Sequence, residues 1–241
     1  MKKILFIIFI FLTACAPATP AATPQVVKVY ATSSAQPWLT DLYNCASASV
    51  VIDLTDSQLA DISIWEGESA NLTMPAFQIG TDDILVAIHP QTGVGSLTIE
   101  QVRQLFTGQV TNWKDVGGND VPVQVWTYSP DEDIQQIFDN AVLAGQPVTS
   151  LARLAVSAQA MSDSIGANAG SVGVLTRRWK TDNTNEALAV ASVPVLAVTK
   201  SEPQGTVKDL IACLQKKYLV RFSAALLSCS WRHDDRVGRV S

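Results

Sequence analysis

"LTIEQVRQLFTGQVTNWKDVGGNDVPVQVW", residues 97–126, carries a helix start, a turn-rich crossing and a strand within thirty positions. Thr98 followed three residues later by Gln101 is a capping-box pattern. Ile99, Val102, Leu105 and Phe106 then fall on one helical face. "TNWKDVGGNDVP" (111–122) is dense in turn residues, and "VQVWT" (123–127) reads as a strand. Helix, turn and strand in that order is one step of an alternating α/β chain.

The alternation extends both ways from this stretch. Upstream, "VVKVYA" (26–31) reads as a first strand, with Leu39, Leu42, Tyr43 and Ala46 at helical spacing after a polar Thr32-Ser33-Ser34 turn. Further strands are expected at 49–54, 61–65 and 83–89. Downstream, "YSPDED" (128–133) precedes an apolar stripe of Ile134, Ile137, Phe138, Ala141 and Val142. Ser129 as N-cap, Pro130 at the first helical position and Glu132 two places on would close a capping box there, with Asp131 and Asp133 favoured by the helix dipole. "SVGVLT" (171–176) and "SVPVLAVTK" (192–200) read as later strands, and "GTVKDLIACLQ" (205–215) as a helix.

Of the 241 residues, 47% are hydrophobic and 16% charged, a balance that suits a well-buried globular body. The net charge of −5 and the lack of a basic stripe argue against nucleic acid as a partner. Lys2 and Lys3 precede an apolar run from Ile4 to Leu12, the layout of an export signal and too short to span a bilayer. Its ending, Leu12-Thr13-Ala14-Cys15, resembles the lipobox of bacterial lipoproteins, which implies cleavage before Cys15 and lipidation there. A Pro/Ala/Thr tether through residue 25 follows.

Export places Cys45, Cys213 and Cys229 in an oxidising compartment, where pairing is expected. Cys45 lies late in the first expected helix and Cys213 in the last. Their bridge is the favoured pairing, with a Cys45–Cys229 bond or a free Cys45 as alternatives. Neither histidine, His89 or His233, belongs to a serine, cysteine or metal constellation, so no catalytic site, metal or cofactor is expected.

The opening stretch resembles the middle of the periplasmic phosphate-binding proteins of ABC importers. "VYATSS" (29–34), "ADISIWEGE" (60–68), "SVGVLTRRW" (171–179) and "PVLAVTKSEPQGTVKDLIACL" (194–214) extend the likeness in order, over roughly residues 26–215. It implies a two-lobed periplasmic-binding-protein-like α/β fold of type II, with a ligand cleft between the lobes. A signal peptide would occupy 1–14 and the tether 15–25. The first lobe would take 26–85 and 188–215, the second 86–187, leaving 216–241 as an atypical tail, native or the product of a shifted reading frame. By the general rule for open α/β sheets, a ligand would meet the loops at 32–34, 65–68 and 128–133. Thr32, Ser33, Ser34, Trp65, Glu66, Tyr128, Glu132 and Asp133 are therefore the candidate contacts, although the first three could equally serve as helix caps.

The resemblance breaks at the second lobe's contribution. Phosphate-binding relatives place an Arg after the strand and a Ser-Gly-Thr run at the helix start. Here Tyr128 stands for the Arg, and Glu132-Asp133-Ile134 overlies the run. Trp65 and Glu66 fall where relatives have a Ser and an Asp. Arg177 and Arg178 could lend charge from elsewhere or simply face solvent. The expectation is an extracytoplasmic solute-binding lipoprotein with the phosphate-gripping residues lost, held to the bacterial membrane by its lipid anchor, partnered by ABC permease subunits and a small solute. A sensor or structural surface lipoprotein without a transported ligand is the alternative; an enzyme on this scaffold would lack a nucleophile–base pair. Replacing Cys15 by Ser is expected to move the chain from the membrane to the soluble fraction or leave it as precursor, because the acyl chains supply the attachment. Unchanged membrane partition of a correctly cleaved variant would refute the lipobox reading.

Overall fold

Two strands of 13 and 14 residues run side by side through the middle of the molecule. The protein, seen in a computed structural model, is described over residues 23–68 and 72–230, with side chains through residue 220. Its strands are β1 (Gln25–Ala31), β2 (Val50–Leu54), β3 (Ile62–Glu66), β4 (Ala76–Ile88), β5 (Gln124–Thr127), β6 (Arg153–Leu154), β7 (Ser171–Thr176) and β8 (Asn185–Val198). The helices are α1 (Leu39–Tyr43), α2 (Ile99–Phe106), α3 (Asp133–Phe138), α4 (Ala158–Ala167) and α5 (Gly205–Ser230). One eight-stranded sheet runs β2–β1–β3–β8–β4–β7–β5–β6.

The long pair, β4 and β8, is antiparallel from Ala76 opposite Val198 to Ile88 opposite Asn185. On one side β3 extends it antiparallel to β8, and β1 and β2 continue in parallel. On the other, β7 joins β4 antiparallel, and β5 and β6 continue in parallel. Each lobe is thus a small parallel βα unit hung on a shared antiparallel spine, the α/β architecture expected.

Two separate apolar cores follow from this arrangement. In the first lobe, Val27, Val29, Ile62 and Ile64 of the sheet pack with Trp38, Leu42 and the inward face of α5, Leu210, Ile211 and Leu214. The second lobe buries Val102, Leu105 and Phe106 of α2 with Ile134 and Phe138 of α3 and Met161 and Ile165 of α4. The Phe106 and Phe138 rings meet at 4.5 Å between centroids. On the spine the cores divide between Ile79 and Ile84 of β4 and between Val193 and Val195 of β8.

Several elements depart from the sequence reading. β4 begins at Ala76 and β8 at Asn185, well before the expected positions 83 and 192. Mutual pairing extends β4 through 76–82, where Phe77 and Ile79 alternate with Gln, Gly, Thr and Asp, and β8 through 185–191, an Ala-rich run of weak strand propensity. α4 has no counterpart in the reading, and its Ala- and Ser-rich sequence explains why. The boundary drawn at residue 215 is not a structural one, since α5 runs unbroken through Ser230. Among the described residues no helix is long and apolar enough to cross a membrane. The expected signal peptide, Cys15 and His233 lie outside the described residues, as does the side chain of Cys229.

Cys45, just past α1, and Cys213, in α5, are joined by a disulfide with Cα atoms 5.9 Å apart. The bond spans 168 residues, so it closes both lobes into one loop. Chain-entropy reasoning gives such a loop about 5 kcal/mol of stabilisation, the upper end of what disulfides deliver. Replacing both cysteines by Ala is expected to lower the melting temperature, and adding reductant to the wild type to do the same. A melting temperature indifferent to both changes would show that the bond does not form in the native protein.

Candidate ligand cleft

Strands β1 and β3 of the first lobe and β5 of the second all end at one cleft of about 670 Å³. Beyond β1, the Thr32 N–H donates to the Ile64 carbonyl at 3.0 Å, and the Ala35 N–H to the Thr32 carbonyl at 3.1 Å, which curls Thr32–Ser34 into a tight turn. Their hydroxyl oxygens stand 3.1 Å apart at Thr32 and Ser34. Beyond β3, Gly67 takes φ = +80°, a left-handed conformation that turns the chain away under Ile137.

The β5–α3 junction is fixed by Gln135, which is buried. Its Oε1 accepts the Thr127 hydroxyl and the Tyr128 N–H, both at 3.0 Å, and its Nε2 donates to Asp139 at 2.7 Å. The capping box expected over Ser129–Glu132 does not form. Ser129 instead hydrogen-bonds to Asp131, the Glu132 N–H closes a turn to the Ser129 carbonyl, and α3 starts only at Asp133 with no side-chain cap from Glu132.

Asp133 reaches across the cleft. Its Oδ2 accepts the Thr32 hydroxyl at 2.8 Å and the Glu66 N–H at 3.0 Å; its Oδ1 accepts the Ser34 hydroxyl at 2.9 Å and the following Ile134 N–H at 2.8 Å. Ser33 is engaged too, accepting the Ala158 N–H at the start of α4 at 2.7 Å. The Trp179 indole N–H donates to the Ser34 carbonyl at 2.9 Å.

Of the candidate contacts, Thr32, Trp65, Glu66, Glu132 and Asp133 line the cleft, joined by Tyr30, Glu68 and Asp131. Ser33 and Ser34 lie in the lobe–lobe contact beside it. Tyr128 does not line the cleft: it is 2% exposed within the second lobe's core, and its hydroxyl has no partner. Its position after β5 turns it inward because β5 and Gln135 hold its backbone against the core. Burial, then Glu132, Glu66 and Asp133, pushes its phenol well above the ordinary value.

Neither arginine of the Arg177-Arg178 pair enters the cleft. Arg177 pairs with Asp83 and Glu186, both at 2.8 Å, on the outside of the spine. Arg178 crosses between lobes: its guanidinium lies 3.6 Å from the Trp38 ring centroid, 3.4 Å from Asp41 and 3.8 Å from Asp82. The Trp38 ring also lies so close to Gly80 that a Cβ there would stand 1.9 Å from it. Trp126 lies away from the cleft, bonded to Ser171 and facing Arg153.

Glu66 is the most perturbed acid of the site. It is 2% exposed, and neither carboxyl oxygen has a hydrogen-bonding partner. Burial foremost, then Asp82 and Asp133, pushes its carboxyl up to about 9; the nearby Ser34 hydroxyl and Arg178 offset this only in part. Near neutral pH it is therefore an uncharged acid, able to donate a hydrogen bond. Burial also raises Asp82, and burial with Asp133 and Asp131 raises Glu132. Among the described residues no cluster of His, Cys, Asp and Glu has the arrangement of a metal site.

Parallel βα lobes on a crossed antiparallel spine, with strand ends facing one cleft, define a two-lobed α/β fold with a cleft between the lobes. Residues 10–218 match the PBP superfamily domain, and the chain belongs to that superfamily. The phosphate-binding protein PstS of Bacillus subtilis is 23% identical over 157 residues, which cover 58% of this chain and 52% of that protein. The chain thus spans about half the length of this curated relative. Among solved structures, a Clostridium perfringens protein assigned as a phosphate ABC transporter substrate-binding protein, with bound phosphate, superposes with a TM-score of 0.72 at 18% identity, over 82% of this chain and 97% of that one. An ABC-type phosphate transport receptor from Vibrio cholerae gives 0.60 at 21% identity, over 81% and 98%. At these identities the structural likeness establishes the fold.

The raised Glu66 carboxyl predicts a pH dependence of stability. The folded protein keeps a proton that the unfolded chain releases above its ordinary value of 4.5, up to about 9. The contribution is complete below 4.5 and lost as pH rises through about 9, so stability falls across that window by up to about 1.4 kcal/mol per pH unit. Glu66→Gln is expected to remove that part of the slope and to be the more stable protein at the alkaline end. Denaturant unfolding of both at a series of pH values checks it; parallel slopes would contradict the assignment.

Proposed function

We propose that the mature chain is an extracytoplasmic solute-binding lipoprotein, anchored through Cys15, that delivers a neutral or cationic solute to an ABC-type permease. Superfamily membership supports the receptor role, and the likeness to a phosphate-binding protein of an importer supports the transport role. The observation that carries the choice of ligand is the lining of the cleft: Glu68, Asp131, Glu132 and Asp133 contribute carboxyl groups, the Glu66 carboxyl oxygens being themselves buried, and among the described residues no lining residue is a Lys or Arg. Tyr30 and Trp65 add aromatic surface. Acids beside aromatic rings favour an ammonium or a polyhydroxylated solute, through charge, cation–π contact and hydrogen bonding.

Phosphate fares badly in the same surroundings. A dianion needs several charge-assisted hydrogen bonds, each worth about 1.5 to 3 kcal/mol. The second lobe offers carboxyl groups at the corresponding positions, and the two nearby guanidinium groups are committed to Asp83, Glu186, Asp41 and Asp82. Missing three such bonds corresponds to about a thousandfold or more in affinity. Binding would stabilise the closed lobes and present the loaded form to the permease, with no bond made or broken in the solute.

Isothermal titration of the mature chain is the test. Phosphate, sulfate and molybdate are expected to bind at millimolar strength or not at all, and a member of a panel of organic amines and sugars at least about tenfold more tightly. Micromolar phosphate binding would overturn the ligand assignment while leaving the receptor role intact.

A further inference from the structure

We infer that Asp133 is a tethered ligand: its carboxyl group occupies an oxyanion cradle built by the first lobe and so holds the two lobes together without a solute. The cradle consists of the Thr32 and Ser34 hydroxyls and the Glu66 N–H, at 2.8, 2.9 and 3.0 Å from the two carboxyl oxygens. The donors stand in the loop after β1 and at the last residue of β3, and Asp133 comes from the other lobe, 101, 99 and 67 residues away in the chain. Convergent hydroxyl and backbone donors at strand ends are the arrangement by which α/β folds receive free oxyanions. Here the anion is supplied by the protein.

The surrounding contacts fit a closed clasp. Thr32, Ser33 and Ser34 each bond to the second lobe, through Asp133, the Ala158 N–H and the Trp179 indole. A carboxyl group attached to the same chain acts at the effective concentration of a linked group, so a free anion must outcompete it and not merely find the site. The inference concerns how the lobes are held and stands whichever solute the cleft takes.

Hydrogen exchange of the full chain tests it. The Ala158 amide, which donates to Ser33 and does not touch Asp133, reports separation of the lobes. In Asp133→Ala it is expected to exchange about tenfold faster or more, while amides of the β4–β8 ladder keep their wild-type rates. Adding acetate, a free carboxylate, should slow exchange of the Glu66 amide, a donor of the cradle, in the variant and leave the wild type unchanged. Unaltered exchange at Ala158 in the variant overturns the inference. Faster exchange at Ala158 with no acetate protection of the Glu66 amide also overturns it, since the contact would then be packing and not a ligand site. Thr32→Val with Ser34→Ala provides the second variant: it is expected to accelerate Ala158 in the same way and, having lost the cradle, to show no acetate protection at Glu66.

Discussion

The antiparallel pairing of β4 with β8 is the constraint on which the molecule depends. Both strands serve both lobes: their outer halves take part in the first core and their inner halves in the second. The border falls where β4 reads Thr81-Asp82-Asp83, opposite Pro194, Val193 and Ser192. Register shifts between Gln78 and Gly80, and again between Ile84 and Leu85, bracket the border. A bulge disrupts the ladder locally and bends its strand, so the border is where the spine is least regular. Arg177 bridges Asp83 of one strand to Glu186 of the other across this region, a pair exposed enough to contribute modestly.

From that spine the charge distribution follows. Bringing the ends of β1, β3 and β5 to one place puts Glu66, Asp82 and Asp133 near each other, with Arg178 the guanidinium nearest them. Three carboxyl groups and one guanidinium in a partly buried space cannot all stay charged cheaply. The strain falls on the most buried acid, Glu66, which keeps its proton, while Asp133 gathers four hydrogen bonds. Arg178 is held for the lobe contact by Trp38, whose ring can approach the spine because residue 80 is a glycine.

Where a local signal had no competitor, the sequence could be read. The Thr98–Gln101 capping box forms in both directions, at 3.2 and 2.9 Å, and the helix behind it buries Val102, Leu105 and Phe106. β1, β2, β5 and β7 sit within a residue or so of their expected places because their apolar runs are short and clearly bounded, whereas the two-residue β6 had no counterpart in the reading. The start of α3 was the opposite case. Ser129, Pro130 and Glu132 make a well-formed cap in isolation, yet donors from a loop about a hundred residues away claim Asp133 and delay the helix. Tyr128 likewise looked like a cleft residue by alignment with an Arg. Only the placement of Gln135, two hydrogen bonds invisible to any pattern of spacing, shows the junction turning it into the core.

The first lobe presents oxyanion donors, and the second lobe meets them with a carboxyl group. Ser34 is buried and Thr32 half-buried, so unpaired hydroxyls there would be costly, and the Glu66 N–H finds its acceptor in Asp133. Asp133 supplies an acceptor at the distance these donors need. The arrangement is balanced locally: the donors are satisfied, the turn at Thr32–Ser34 is held, and the cleft beyond Asp133 is acidic. Because the protein's own carboxyl group makes this contact between the lobes, the outer cleft of Tyr30, Trp65, Glu68 and Glu132 is left to meet a solute by other chemistry.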